Sequence, residues 1–107
     1  MSRTLILVQE LIEQGNVRIS AHGYDELAAD LIPVRDVVAG VEDAVTVVDY
    51  PEYGKGPAVL VLQRDSDGEP IHVLWGIPQG HASPAVLITA YRPDPDRWST
   101  DYLRRRS

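Results

Sequence analysis

The sequence predicts an α+β fold in which two to three N-terminal helices pack on one face of a four-stranded antiparallel meander sheet. Near position 44 the spacing of apolar residues changes from about 3.6 to two, and the residues become β-branched. The β-branched runs are joined by Gly-, Pro- and Asp-bearing connections too short for a parallel crossover. At 107 residues the chain supports one hydrophobic core.

The first helix is predicted over Arg3 to Gln14. Leu5, Val8, Leu11 and Ile12 share a face, Ser2 is placed to cap it and Gly15 to stop it. Val17 to Ser20 alternates and reads as a short extended segment, after which Ser20 caps a second helix from Ala21 to Asp30. A third helix follows Ile32, with Pro33 at its first position and Val34, Val37, Val38 and Val41 on one stripe. Ala44 to Tyr50, Ala58 to Gln63, Pro70 to Ile77 and Ala85 to Tyr91 read as strands. Trp98 is expected to anchor the proline-broken stretch after the last of them, so residues 1–98 form one domain and 99–107 a polar, arginine-rich tail. No internal repeat or low-complexity stretch interrupts this order.

Composition narrows the function classes. Without cysteine there is no disulfide, thiolate nucleophile or cysteine-containing zinc site. The apolar run Leu5 to Val8 is too short for a signal-peptide core or a membrane span, so a soluble, unprocessed, cytoplasmic protein with no membrane partner is expected. A formal charge of −6 opposes general nucleic-acid binding. The exception is local: five of the ten basic residues fall within the last sixteen positions, where an anionic partner fits.

His72 stands in the central strand, on the face shared with Leu74 and Gly76, where a gap above Gly76 would admit a ligand or a helix backbone. It reads either as a packed, hydrogen-bonded histidine or as a general acid or base. Folding the neighbouring strands against it brings Val61 to one side and Thr89, Ala90 or Tyr91 to the other. If Thr89 or Tyr91 shares its face, an imidazole, a hydroxyl and Arg92 converge at one sheet end, a set suited to a phosphoryl group. His22 opens the second helix, where exposed N–H groups favour anions, or is simply part of the cap. Lys55, the only lysine, lies between glycines in a loop that resembles a flexible basic turn. It either closes on a phosphate or is an ordinary exposed turn, and the loop is not a P-loop. The three histidines lack metal-ligand spacing, so neither a metal nor another cofactor is expected.

Ile19-Ser20-Ala21-His22, Val47-Val48-Asp49-Tyr50-Pro51, Gly56-Pro57, Pro70-Ile71-His72-Val73 and Thr89-Ala90-Tyr91-Arg92-Pro93-Asp94-Pro95 before Trp98 together resemble the bacterial family known as domain of unknown function 4258. The resemblance implies a fold like that of small α+β ribonuclease toxins and a metal-independent endoribonuclease chemistry. His22, His72, Tyr91 and Arg92 match its recurring polar positions and are the expected catalytic residues; Lys55 and Thr89, from the reading of the residues themselves, are the expected substrate-binding ones. RNA or another phosphate-containing ligand, and a protein partner such as an antitoxin, are the partners it implies. Two stretches depart from the pattern. Where members carry an arginine after the first histidine and an Arg-Gly pair before the third helix, this chain has Gly23-Tyr24-Asp25-Glu26 and Asp30-Leu31-Ile32. Acids in place of cations repel phosphate by about 1 kcal/mol per close pair in water, which weakens the nuclease reading and favours a diverged relative; the nuclease reading stays narrowly ahead of the alternative, a non-catalytic protein- or ligand-binding module.

Overall fold

In the computed structural model, which describes residues 2–106, Ser2 opens helix α1 (Arg3–Glu13). Its hydroxyl accepts from the Leu5 N–H at 3.1 Å and donates to Asp49 at 3.0 Å, so one side chain caps the helix and fixes it to the sheet. The helix ends in a Schellman turn. Gly15, at φ 77, donates to Ile12, and Asn16 donates to Leu11.

The chain continues through β1 (Val17–Ile19), α2 (Ala21–Ala29), α3 (Val34–Gly40) and a 3₁₀ turn (Val41–Asp43). Strands β2 (Val45–Tyr50), β3 (Ala58–Arg64), β4 (Pro70–Gly76) and β5 (Ala85–Tyr91) follow. They form one five-stranded mixed sheet in the order β1-β5-β4-β3-β2. The meander of β2 to β5 is antiparallel, but the extended segment before the second helix joins it as a fifth, parallel strand, with Val17, Arg18 and Ile19 opposite Ala85, Val86 and Leu87. The expected four-stranded antiparallel sheet is corrected accordingly. Pro33 is also one step earlier than predicted, at the N-cap of α3, and Val41 belongs to the 3₁₀ turn.

The helices cover one sheet face. Leu5, Val8, Leu27 and Val37 meet Val59, Val61, Ile71, Val73, Trp75 and Leu87 in a buried aliphatic core around one tryptophan. The buried Gln63 joins the layers, donating to the Val37 carbonyl at 2.8 Å and accepting from the Trp75 indole at 2.8 Å. Gly23 lets α2 lie directly on β5, since a Cβ there would stand 2.9 Å from the Leu87 carbonyl oxygen. Ser20 reinforces the contact by accepting from the Gly23 N–H and donating to the Ile88 carbonyl. Among the described residues, none of the helices packs on the opposite sheet face.

Residues 98–106 fold back across the end of that open face. Trp98 is 6% exposed and pairs through the backbone with Arg105, while Arg106 donates to the Trp98 and Pro95 carbonyls. Met1 and Ser107, at the two ends of the predicted domain and tail, lie outside the described residues.

Candidate functional site

Strand register places the polar residues of the open face. His72 lies between Leu62 on β3 and Tyr91 on β5, and Leu74 between Leu60 and Thr89. Leu62, rather than Val61, is therefore the β3 neighbour of His72. A bulge at Ile88 resets the register of β5, so Thr89 and Tyr91 face the same way as His72. The Ile88 side chain fills the predicted gap above Gly76: a Cβ at that glycine would meet Ile88 Cδ1 at 2.8 Å.

His72 is fully buried. Its Nε2–H donates to the Tyr102 carbonyl at 2.8 Å, which leaves Nδ1 as the acceptor of the Tyr91 hydroxyl at 3.1 Å. The rings of Tyr91 and Trp98 stand edge-on to it, with centroids at 5.3 and 4.3 Å. Burial holds the imidazole pKa below its ordinary value, and the Tyr102 carbonyl partly opposes that effect. The resting ring is thus a neutral, fixed tautomer that steers the Tyr91 hydroxyl. Burial pushes the Tyr91 phenol upward, the nearby Arg105 guanidinium draws it down, and Tyr50 raises it.

The other predicted residues are dispersed. The Arg92 guanidinium lies 2.9 Å from Asp65 in the β3–β4 turn, and its backbone N–H donates to Asp30. Burial raises the Asp65 pKa, but the Glu69 and Asp67 N–H groups and Arg92 together hold that carboxyl below the usual range. His22 is exposed on α2 in the helical layer, 3.6 Å from Glu26, and does not meet His72. Lys55 sits on an anchored turn rather than a loose loop. Its carbonyl accepts from Gln79, and Gly56, at φ 121, packs so closely that a Cβ there would stand 2.0 Å from the Ile77 oxygen. Among the described residues, no group of three or more His, Asp or Glu side chains is placed to hold a metal. No helix among the described residues is long and apolar enough to cross a membrane.

Three adjoining recesses make the open face a trough. One of about 360 Å³ lies among Tyr50, Tyr53, Leu60, Leu74, Thr89 and Tyr91. A second, of about 300 Å³, is bordered by Tyr53, Arg18, Lys55 and Ile88. The third, also about 360 Å³, runs from Val48, Tyr50 and Tyr91 to Trp98, Leu103 and Arg105. Arg18, Lys55 and Arg105 are the charged residues along these walls, and no carboxylate lines them among the described residues. A further recess of about 290 Å³ adjoins the third through Tyr91, Trp98 and Arg105, and there Asp94 contributes one carboxylate beside Arg92 and Arg97.

Arg105, Tyr50 and Arg18 did not stand out in the sequence as members of one site. Fold-back of the tail supplies the first, an exposed edge strand the second, and pairing between distant segments the third. The family model for a domain of unknown function, DUF4258, matches residues 19–92. No curated protein and no solved structure matches the chain.

Proposed function

The chain belongs to the DUF4258 family, and from that premise we propose that it is a binding module for single-stranded RNA on its open sheet face. The supporting observation is the charge of that face. In a chain with a net charge of −6, the trough is walled by three cations and no described carboxylate. Tyr50 and Tyr53 are 42% and 50% exposed beside those cations. Phenolic faces stack on bases of any identity, at about 1–3 kcal/mol per base, and flanking cations track the phosphates. Unstacked single strands fit such a surface better than a duplex, whose bases are already paired.

The buried His72 favours binding over cleavage. A general base must reach the proton it takes, and this ring has its Nδ1 occupied by Tyr91 and its Nε2 by Tyr102. Arg92, tied to Asp65, is likewise engaged away from the ring. The trough meets the needs of recognition without a free imidazole.

The test is the affinity of a labelled short oligouridylate, read by fluorescence anisotropy against salt. Three phosphate contacts predict a slope of log K on log salt near −2, at about −0.7 per contact for a single strand. Lys55→Ala should weaken binding and flatten the slope by about 0.7, whereas Arg35→Ala, on an exposed helical residue, should leave both unchanged. Failure to bind RNA at low salt contradicts the proposal and leaves the face to a protein partner.

A further inference from the structure

The third recess has a feature that generic strand binding does not use. Arg105 lines it opposite Tyr91 and Tyr50, with its guanidinium carbon 5.6 Å from the Trp98 ring centroid. Among the described residues no carboxylate lies within ion-pair distance of this cation. Tyr91 lines the same space, but its hydroxyl proton is committed to His72 Nδ1. As it stands, the hydroxyl presents only oxygen lone pairs to whatever enters, and an anion needs a donor.

We infer that this recess is a phosphodiester subsite whose occupation reverses the Tyr91–His72 hydrogen bond and takes up one proton at His72. The inference deepens the RNA-binding reading and rests on it for the source of the phosphodiester. The balance is simple. Solvent supplies a proton to Nδ1, the new Nδ1–H donates to the Tyr91 oxygen, and the Tyr91 O–H turns to donate to a non-bridging phosphate oxygen. Nε2–H continues to donate to the Tyr102 carbonyl, so both nitrogens of the imidazolium keep partners. No covalent bond between heavy atoms changes. Arg105 supplies the opposite charge to the ligand, and Tyr91 the directed hydrogen bond.

The surroundings of the ring bear on the direction of the effect. Leu62 faces it from β3, Tyr91 from β5, and Trp98 and the Tyr102 carbonyl from the returning segment. None of these supplies a negative charge, Arg105 adds a positive one nearby, and Asp94 lines the adjoining recess with Tyr91, Trp98 and Arg105; a bound anion would favour the protonated ring. Tyr50, from β2, raises the Tyr91 phenol, and Tyr53, Arg92, Asp94 and Arg97 line recesses together with Tyr91. By linkage, a site that binds its ligand with proton uptake binds more tightly at lower pH, by up to about tenfold per unit for one proton.

Uridylyl-uridine is a suitable probe, because its single phosphodiester does not titrate near neutrality. Binding of this dinucleotide to the full chain is measured by calorimetry in buffers of different ionisation enthalpy, while the His72 ring resonances are followed by NMR, assigned by their loss in His72→Gln. The expected result is uptake of about one proton, with the His72 signals moving to the imidazolium position on saturation. Tyr91→Phe should abolish the uptake while the fold, checked by circular dichroism, is retained, and Arg105→Ala should weaken the dinucleotide several-fold. Binding without protonation of His72, or no dinucleotide binding at all, overturns the inference. Dinucleotide binding with proton uptake but no oligouridylate binding would uphold the subsite and overturn the RNA reading. Oligouridylate binding without a His72 shift would do the reverse.

Discussion

His72 shows how one buried side chain can fix the geometry of an open sheet face, through Tyr91 and the Tyr102 carbonyl. Removing it leaves the Tyr91 hydroxyl and the Tyr102 carbonyl without their partner and opens a cavity beneath Trp98. His72→Ala is therefore expected to lower unfolding free energy by about 2–4 kcal/mol in urea denaturation. The pH dependence follows from its depressed folded pKa. Between that value and about 6.5, the ordinary histidine pKa, the unfolded chain binds more protons than the folded one. Stability from this group is complete above about pH 6.5 and falls as the solution is acidified through that window. His72→Gln should flatten this part of a stability–pH curve recorded without RNA. Asp65 acts in a lower window: its carboxyl is held below the usual range, so its contribution is present above about pH 4 and is lost as pH falls through the folded value.

At the scale of elements, local residue choice explains most of the architecture and exposes a backbone strain at the end of α2. The end of α2 forms a Schellman turn, with Ile32 donating to Leu27 and Leu31 to Ala28, and this puts Leu31 at φ 54. Glycine adopts that conformation without strain. Here a leucine 84% exposed takes the position instead. Leu31→Gly should raise unfolding free energy by about 1 kcal/mol, measured by chemical denaturation, because backbone strain is relieved and little burial is lost. Gly23→Ala should do the opposite. The added carbon meets the Leu87 carbonyl oxygen at 2.9 Å, and backbone cannot yield as a side chain can, so a loss of about 1–3 kcal/mol is expected by the same measurement.

These elements also show how far the sequence was legible. The three helices and the four meander strands were readable because Ser2, Ser20 and Gly15 mark helix ends and β-branched runs mark strands. The parallel strand β1 was not recognised as part of the sheet. Three residues carry too little periodicity, and their partner lies almost seventy positions away. The tyrosine opposite His72 was one of three alternatives, since the bulge at Ile88 sets the register and no local pattern announces it. The closure over His72 was hidden for a different reason: a backbone carbonyl, from Tyr102 at φ 61, supplies the contact.

Across the whole molecule, charge is segregated. Acids outnumber bases sixteen to ten, yet the wall of the trough joins Arg18 from β1, Lys55 from the β2–β3 turn and Arg105 from the returning segment. These residues are distant in sequence and meet only because the sheet and the fold-back bring them to one side. A global charge of −6 sets a weak background repulsion that salt screens within about 8–10 Å, while cations beside a bound strand act at contact range. Lys55→Glu should consequently weaken oligouridylate more than Arg35→Glu, although each changes net charge by the same amount; anisotropy titration at one salt concentration distinguishes them.

The most direct measurement is an amide and methyl NMR map of the isotopically labelled full chain titrated with short oligouridylate at low salt. Saturable shifts should concentrate on the open face, around Lys55, Tyr53, Leu74, Thr89 and Tyr91, with α2 and α3 quiet. Shifts confined to the helical layer, or a spectrum unchanged by excess RNA, would contradict the assignment of the trough as an RNA-binding face.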